Sequence, residues 1–184
     1  MPTNKTPQEK YEEELKQEEH DHLHKPTAAA MTNHILANIH TMHVKLHQYH
    51  WYVKGPNFFA LHAKFEDLYD ENEEWFDKLA EVLLSSGEKP VSTTEKFLQY
   101  SLLKENGADK YLSAERMVEN LVDDYRSTRD LVTRTINMAG EVGQFVLEDT
   151  LIGYKEAIDK NIWMLQAFLG KEALEDDPEF EDDE

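Results

Sequence analysis

The amino-acid sequence predicts an all-α protein: a bundle of four long helices with a short helix in the long crossover between the second and third. Three observations predict it. Four stretches place apolar residues every three or four positions, the repeat of one helix face. No stretch alternates as a strand would, and no internal repeat is present. Gly and Pro punctuate the stretches, and only one connection between them, about residues 87–112, is long.

The first bundle helix is predicted over 32–53, where Ile35, Ile39, Met42, Leu46, Tyr49 and Val53 follow one another at steps of four and three. Gly55-Pro56-Asn57 stops it, and Asn57 is a candidate N-cap for the next helix. That second helix runs from Phe58 to Ser85 or Ser86 with Leu61, Phe65, Leu68, Asn72, Trp75, Leu79 and Val82 on its inner line, and Gly87 ends it. Ser92 with Glu95 resembles a capping box for a short helix from Thr93 to about Leu103. Asn106-Gly107-Ala108-Asp109 is a turn. Ser113 caps the third helix, lined by Met117, Leu121, Tyr125, Leu131, Ile136 and Ala139. The fourth, about 143–169, carries Val146, Leu151, Tyr154, Ile158, Ile162, Leu165 and Phe168. A short hairpin, a long crossover and a second short hairpin make up the ferritin-like arrangement.

Three segments organise the chain: a variable N-terminal tail (1–26), the helical domain (27–170) and an acidic C-terminal tail (171–184). At 184 residues and 21.5 kDa, with 40% hydrophobic residues, one domain with a real core is expected. The net charge of −19 excludes a uniformly basic nucleic-acid-binding domain and a polybasic membrane-surface protein. The absence of Cys excludes disulfide scaffolds, Cys-ligated metal sites and thiol catalysis. No apolar run approaches the roughly 18 residues of a membrane span, and no secretory signal is visible, so a cytoplasmic location is expected. The C-terminal tail, with nine acidic residues and one basic, is expected to be solvated. In the N-terminal tail, a short helix over 9–19 precedes His20, His22 and His24. In an extended segment these imidazoles share one side and, with Asp21, can ligate Zn²⁺ or another transition metal; the alternative is a polar linker rich in His.

The chemistry concentrates in His50, His62, Glu66, Asp77 and Glu81. The four on the second helix fall within a stripe about 100° wide, as two i,i+4 pairs. The pairs are centred 15 residues apart, about 22 Å along a helix, too far for one metal centre. Either they serve separate purposes, or an antiparallel twofold contact sets His62 and Glu66 of one chain opposite Asp77 and Glu81 of another, twice. His50, just before the hairpin, can join the first half. Two imidazoles and three carboxylates suit iron and leave positions open for water, O₂ or peroxide, and a bridging carboxylate can hold two irons close together. The plainer alternative is that the acids are solvated helix residues and the histidines are satisfied at the edge of the core.

The run from His50-Trp51-Tyr52-Val53-Lys54-Gly55 to His62 and Glu66 resembles the signature of the Dps proteins, the DNA-binding proteins from starved cells or mini-ferritins. Phe76-Asp77-Lys78-Leu79-Ala80-Glu81 resembles their second signature, and Asn161-Ile162-Trp163-Met164-Leu165 is also similar; the resemblance spans about 27–170. It implies a hollow dodecameric cage that oxidises Fe²⁺, typically with hydrogen peroxide and otherwise with O₂, and stores ferric mineral. It implies a di-iron centre at a twofold interface, with His50, His62 and Glu66 from one subunit and Asp77 and Glu81 from its mate. Trp51 would sit beside the centre and take up radicals or an electron. Threefold pores would admit iron past Glu148 and Asp149, and Glu71, Glu73 and Glu74 are candidates for an inner mineral-nucleating surface.

The sequence also departs from that pattern. Val82 stands where the second signature usually continues with Arg, Trp75-Phe76 stands where many members have a His nearby, and Gln144 replaces the first pore acid. His40, His43 and His47 form a further stripe, either transient iron sites or locally bonded residues at an interface. Tyr49, Trp75 and Trp163 are expected in the core or at an interface. DNA binding is the weaker expectation: twelve chains at −19 each carry about −228, and phosphate repulsion opposes contact. Lys5, Lys10, Lys16 and Lys25 are the N-terminal basic residues that could offset it. Two other classes stand beside the iron enzyme: a nucleoid-compacting protein with a vestigial centre, and a cage that buffers metal without oxidising it.

Overall fold

The computed structural model describes residues 5–24 and 26–178, and the side chains of 18–24 lie outside that description. Within it lie α1 (Pro7–His24), α2 (Ala28–Tyr52), α3 (Phe58–Ser85), α4 (Thr94–Tyr100), a 3₁₀ turn (Gly107–Tyr111), α5 (Ala114–Glu141) and α6 (Phe145–Phe168), with no strand among the described residues.

Helices α2, α3, α5 and α6 are the four-helix bundle. The cross-helix bonds fix its topology. Asn120 donates to the Tyr49 hydroxyl at 3.1 Å, and Asn38 donates to Thr128 at 3.2 Å, so α5 runs antiparallel to α2. Glu71 accepts from Asn161 at 2.5 Å while Trp75 packs on Tyr154 at 5.2 Å, so α6 runs antiparallel to α3. The crossover must therefore travel the length of the bundle. It starts where Val91 donates to Asn33 and ends where Gln48 donates to the Asn106 carbonyl. Midway, the Asn38 side-chain oxygen accepts from the Leu102 N–H at 2.8 Å and holds it to α2. This is the ferritin-like arrangement.

The core follows the predicted apolar lines with local shifts. On α2, Ile35, Ile39, Met42, Leu46, Tyr49 and Val53 are all buried. On α6, Leu147 is buried and Val146 faces outward, one position from the expected line, because Leu147 stands one turn before the buried Leu151 and Val146 stands five residues before it. On α3, Leu83 rather than Val82 completes the inner line. Each fully buried Leu or Phe contributes about 1.5–3 kcal/mol relative to exposure.

Several boundaries differ from expectation. Thr27 caps α2, accepting from the Ala30 N–H at 3.1 Å, so the helix starts four residues early on small Ala residues. The side chain of Asn57 makes no capping bond to α3; the Phe58 N–H instead closes a turn on the Gly55 carbonyl, where Gly55 takes φ +108°. Thr93, not Ser92, caps the short α4, which ends at Tyr100. Ser113 caps α5 as predicted.

Two larger corrections concern the tails. The backbone over 20–24 is the end of α1, not an extended segment, and a helix does not set alternate residues on one side. The side chains of His20, His22 and His24 lie outside the described residues. Residues 171–178 are largely exposed, as expected, but they are pinned to α5 through a buried Asp177. Arg129 on α5 holds Asp177 through two bonds of 2.8 and 3.0 Å, and Asp177 is only 1% exposed. Arg126 donates to the carbonyls of Asp176 and Glu175 at 2.9 and 2.7 Å. Two guanidinium groups buried on α5 demand oxygen partners, and the acidic strap supplies them.

Candidate metal centre

The hairpin between α2 and α3 brings His50 and His62 face to face. Their rings stack with centroids 3.7 Å apart and planes 17° from parallel. His50 Nδ1 lies 2.7 Å from the His62 carbonyl oxygen, and His62 Nδ1 lies 2.8 Å from the His50 carbonyl oxygen. A carbonyl oxygen only accepts, so each Nδ1 carries the proton. In the neutral imidazole, each Nε2 then keeps its lone pair, the form a metal binds. Phe58 covers the other face of the His62 ring at 5.1 Å, and Tyr69 stands edge-on to His50 at 5.5 Å. Both imidazoles are thus locked in tautomer and plane by backbone and aromatic contacts.

Glu66 lies one turn beyond His62 and is exposed. Desolvation, then the Glu66 charge, raise the Tyr69 phenol above its ordinary value. Asp77 and Glu81 are exposed on the same helix, one turn apart. Among the described residues no three of His, Asp or Glu converge on one point. The His62/Glu66 pair and the Asp77/Glu81 pair are separated by about 22 Å of helix. Trp51 is 67% exposed and stands edge-on to His47 at 5.5 Å.

The other sequence candidates divide. His47 donates to the His43 carbonyl at 3.0 Å and stacks on Tyr69 at 4.0 Å, while His40 stacks on Phe97 at 4.5 Å. Burial, then the neighbouring His47, lower the affinity of His43 for a proton. Glu71 is tied to Asn161 and half-buried, which takes it out of the set of free surface acids. Asp149 is exposed at the start of α6, whereas Glu148 folds back so that a Cβ at Gly140 would meet its Oε1 at 2.9 Å. Tyr49 is fully buried, with its phenol pushed up to about 12 chiefly by burial. Trp75 is half-buried, and a Cβ at Gly153 would meet its ring at 3.4 Å. Trp163 is 56% exposed and is not part of the core of one chain.

Sequence reasoning missed Tyr69, two turns beyond His62 and in contact with both His47 and His50. It also missed Arg126, Arg129 and Asp177. The signal for Tyr69 was its place on the His62 stripe. For the arginines it was two basic residues at i,i+3 on the largely apolar side of α5.

The family of the ferritin-like domain matches residues 29–174. The chain is 43% identical over 143 residues to the DNA protection during starvation protein of Listeria innocua, covering 78% of this chain and 92% of the relative. It is 42% identical to general stress protein 20U of Bacillus subtilis, covering 73% and 92% respectively. Among solved structures, the DpsB protein of Lactococcus lactis superposes with a TM-score of 0.86 at 31% identity, covering 91% of this chain and 96% of that one. Dps from Listeria monocytogenes gives 0.80 at 39% identity, covering 83% and 99%.

Proposed function

Since the chain belongs to the Dps family of ferritin-like proteins, we propose that it is a ferroxidase that assembles into a dodecameric cage, oxidises Fe²⁺ between paired subunits and keeps the ferric product inside. The observation that carries this reading is the His50–His62 pair. Both Nε2 atoms are left free for a metal, yet no third ligand joins them within the chain among the described residues. A half-site this well locked calls for a second chain, and the partner subunit's Asp77 and Glu81 are the carboxylates on the same helix stripe that a twofold contact would bring to it.

The residues divide the work. His50 and His62 supply neutral nitrogen ligands whose planes are already set, so little is lost in ordering them when iron arrives. Glu66 and the partner's Asp77 supply negative charge that offsets the charge gained as iron goes from Fe²⁺ to Fe³⁺. The partner's Glu81 is suited to bridging two ions. Two Fe²⁺ give two electrons to one hydrogen peroxide, which with two protons leaves as two waters; no hydroxyl radical is released. Trp51, exposed beside His47, is placed to take up a stray oxidising equivalent. Asp149, at the exposed start of α6, is the better placed of the two pore acids. Removal of iron and peroxide protects DNA without touching it, which agrees with the net charge of −19 per chain.

Anaerobic loading of the metal-free protein with Fe²⁺, followed by peroxide, tests the reading. Ferric absorbance should rise with about one peroxide consumed per two irons, in a particle of twelve chains. Metal bound with no peroxide consumed would replace it with the metal-buffering alternative.

A further inference from the structure

We propose that His43 and Glu73 form a second divalent transition-metal site, a weak loading position for Fe²⁺ beside the oxidising centre. The loading role rests on the ferroxidase reading; the cation site itself does not.

His43 on α2 and Glu73 on α3 face each other across the groove between the two helices. His43 Nδ1 lies 3.9 Å from Glu73 Oε2, too long for a hydrogen bond. Two donors that each approach one ion at about 2–2.2 Å stand roughly 3–3.5 Å apart, a separation that a small rotation of the exposed Glu73 side chain reaches. His43 Nδ1 is buried and has no hydrogen-bond partner among the described residues. Around the ring stand His47 at 4.5 Å and Tyr69 at 6.0 Å, and the Tyr69 backbone interacts with the imidazole as well. An ion pair with a carboxylate that is 70% exposed would stabilise the fold little, so pairing alone gives a weak account of the arrangement.

The space for an ion and its waters is present. A cavity of about 490 Å³ opens between α2, α3 and the crossover, lined by His40, His43, Asn72 and Glu73 on its polar side and by Phe76 and Phe97 on its apolar side. His40 is stacked on Phe97 and borders the cavity without being needed as a ligand. One imidazole nitrogen, one carboxylate oxygen and several waters form a mixed donor set. It favours Fe²⁺, Co²⁺ or Zn²⁺ over Mg²⁺ or Ca²⁺, and with two protein ligands it holds them loosely. That agrees with the absence of any three-ligand group among the described residues.

The position gives the site its use. Eleven residues beyond His62, Glu73 is rotated only about 20° from it and falls within the same stripe as Glu66, Asp77 and Glu81. Asp77 is the next turn, about 6 Å along the axis.

Co²⁺ titration of the assembled metal-free protein, followed by visible absorption and by equilibrium dialysis with elemental analysis of both compartments, tests the site. Glu73→Gln removes an exposed carboxylate and leaves the fold intact; His43→Asn removes the nitrogen. Each should bind one Co²⁺ fewer per chain than the parent, and the iron concentration for half-maximal oxidation should rise severalfold. Unchanged Co²⁺ stoichiometry in both variants would overturn the site. Lost Co²⁺ with unchanged iron dependence would overturn the loading role. If no chain oxidises iron at all, the ferroxidase reading falls while the loss of one Co²⁺ still upholds the cation site.

Discussion

His50 and His62 hold each other in place: each donates its Nδ1 proton to the other's backbone carbonyl, at 2.7 and 2.8 Å, across stacked rings. Both rings are thereby fixed by the geometry of a five-residue hairpin link, 53–57. Losing either ring removes a proposed ligand and also the bond that orients the other. Replacement of His62 by Ala or of His50 by Ala should each slow initial Fe²⁺ oxidation by more than about tenfold, and the double replacement should add little to either. Stopped-flow absorbance on assembled particles measures it; additive losses would show that the two rings act independently.

The strap over 171–178 is anchored by one carboxylate. Asp177→Asn removes the carboxylate that Arg126 and Arg129 share, leaving Arg129 the more exposed Asp130 at 3.6 Å, and should cost about 3–5 kcal/mol. Denaturant unfolding reads the loss, and hydrogen exchange should show 171–178 exchanging freely while α2 and α3 stay protected. Unaltered protection of the strap would mean that the backbone bonds from Arg126 and Gln166 suffice.

Lys45 and Asp124 form a buried ion pair between α2 and α5, and burial, opposed by Lys45, raises the Asp124 carboxyl. Lys45→Met strands that carboxylate and should destabilise the fold by about 3–5 kcal/mol at neutral pH, whereas Lys45→Met with Asp124→Leu should lie near the parent. Equal stability of the single and double variants would contradict this.

His43 predicts a pH dependence. Its folded affinity for a proton is lowered below the ordinary 6.5, chiefly by burial. As pH falls through 6.5 the unfolded chain takes up this proton first, so stability contributed by neutral His43 is present above that value and is lost on acidification down to the folded value. Metal-free protein should therefore lose stability below pH 6.5 more steeply than its His43→Asn variant. Parallel pH profiles would contradict it.

Much of the fold was legible because a bundle writes its core as a period. Ile35 to Val53 kept its steps of four and three in the structure, and Ser113 announced α5. Errors fell where a single residue competes with its neighbour, as with Thr93 over Ser92, Leu147 over Val146, and the unbonded cap at Asn57. The His62/Glu66 and Asp77/Glu81 pairs share a stripe on α3, and the hairpin then supplied what a stripe cannot show: the reciprocal bonds of His50 and His62. Arg129–Asp177 was illegible in principle, because 48 residues separate the partners and an acidic run on its own signals solvation. Helical phase gives a residue's side of its own helix; it does not say which distant charge will be buried against it.

The central claim is that each oxidising centre draws ligands from two chains, and subunit mixing tests it most directly. Particles assembled from equal amounts of His62→Ala and Asp77→Asn chains, each inactive alone, should regain about a quarter of the parent oxidation rate, because half the twofold pairs are mixed and each mixed pair restores one of its two centres. Mixed particles as inactive as either variant would place all the ligands of a centre in one chain and contradict the account.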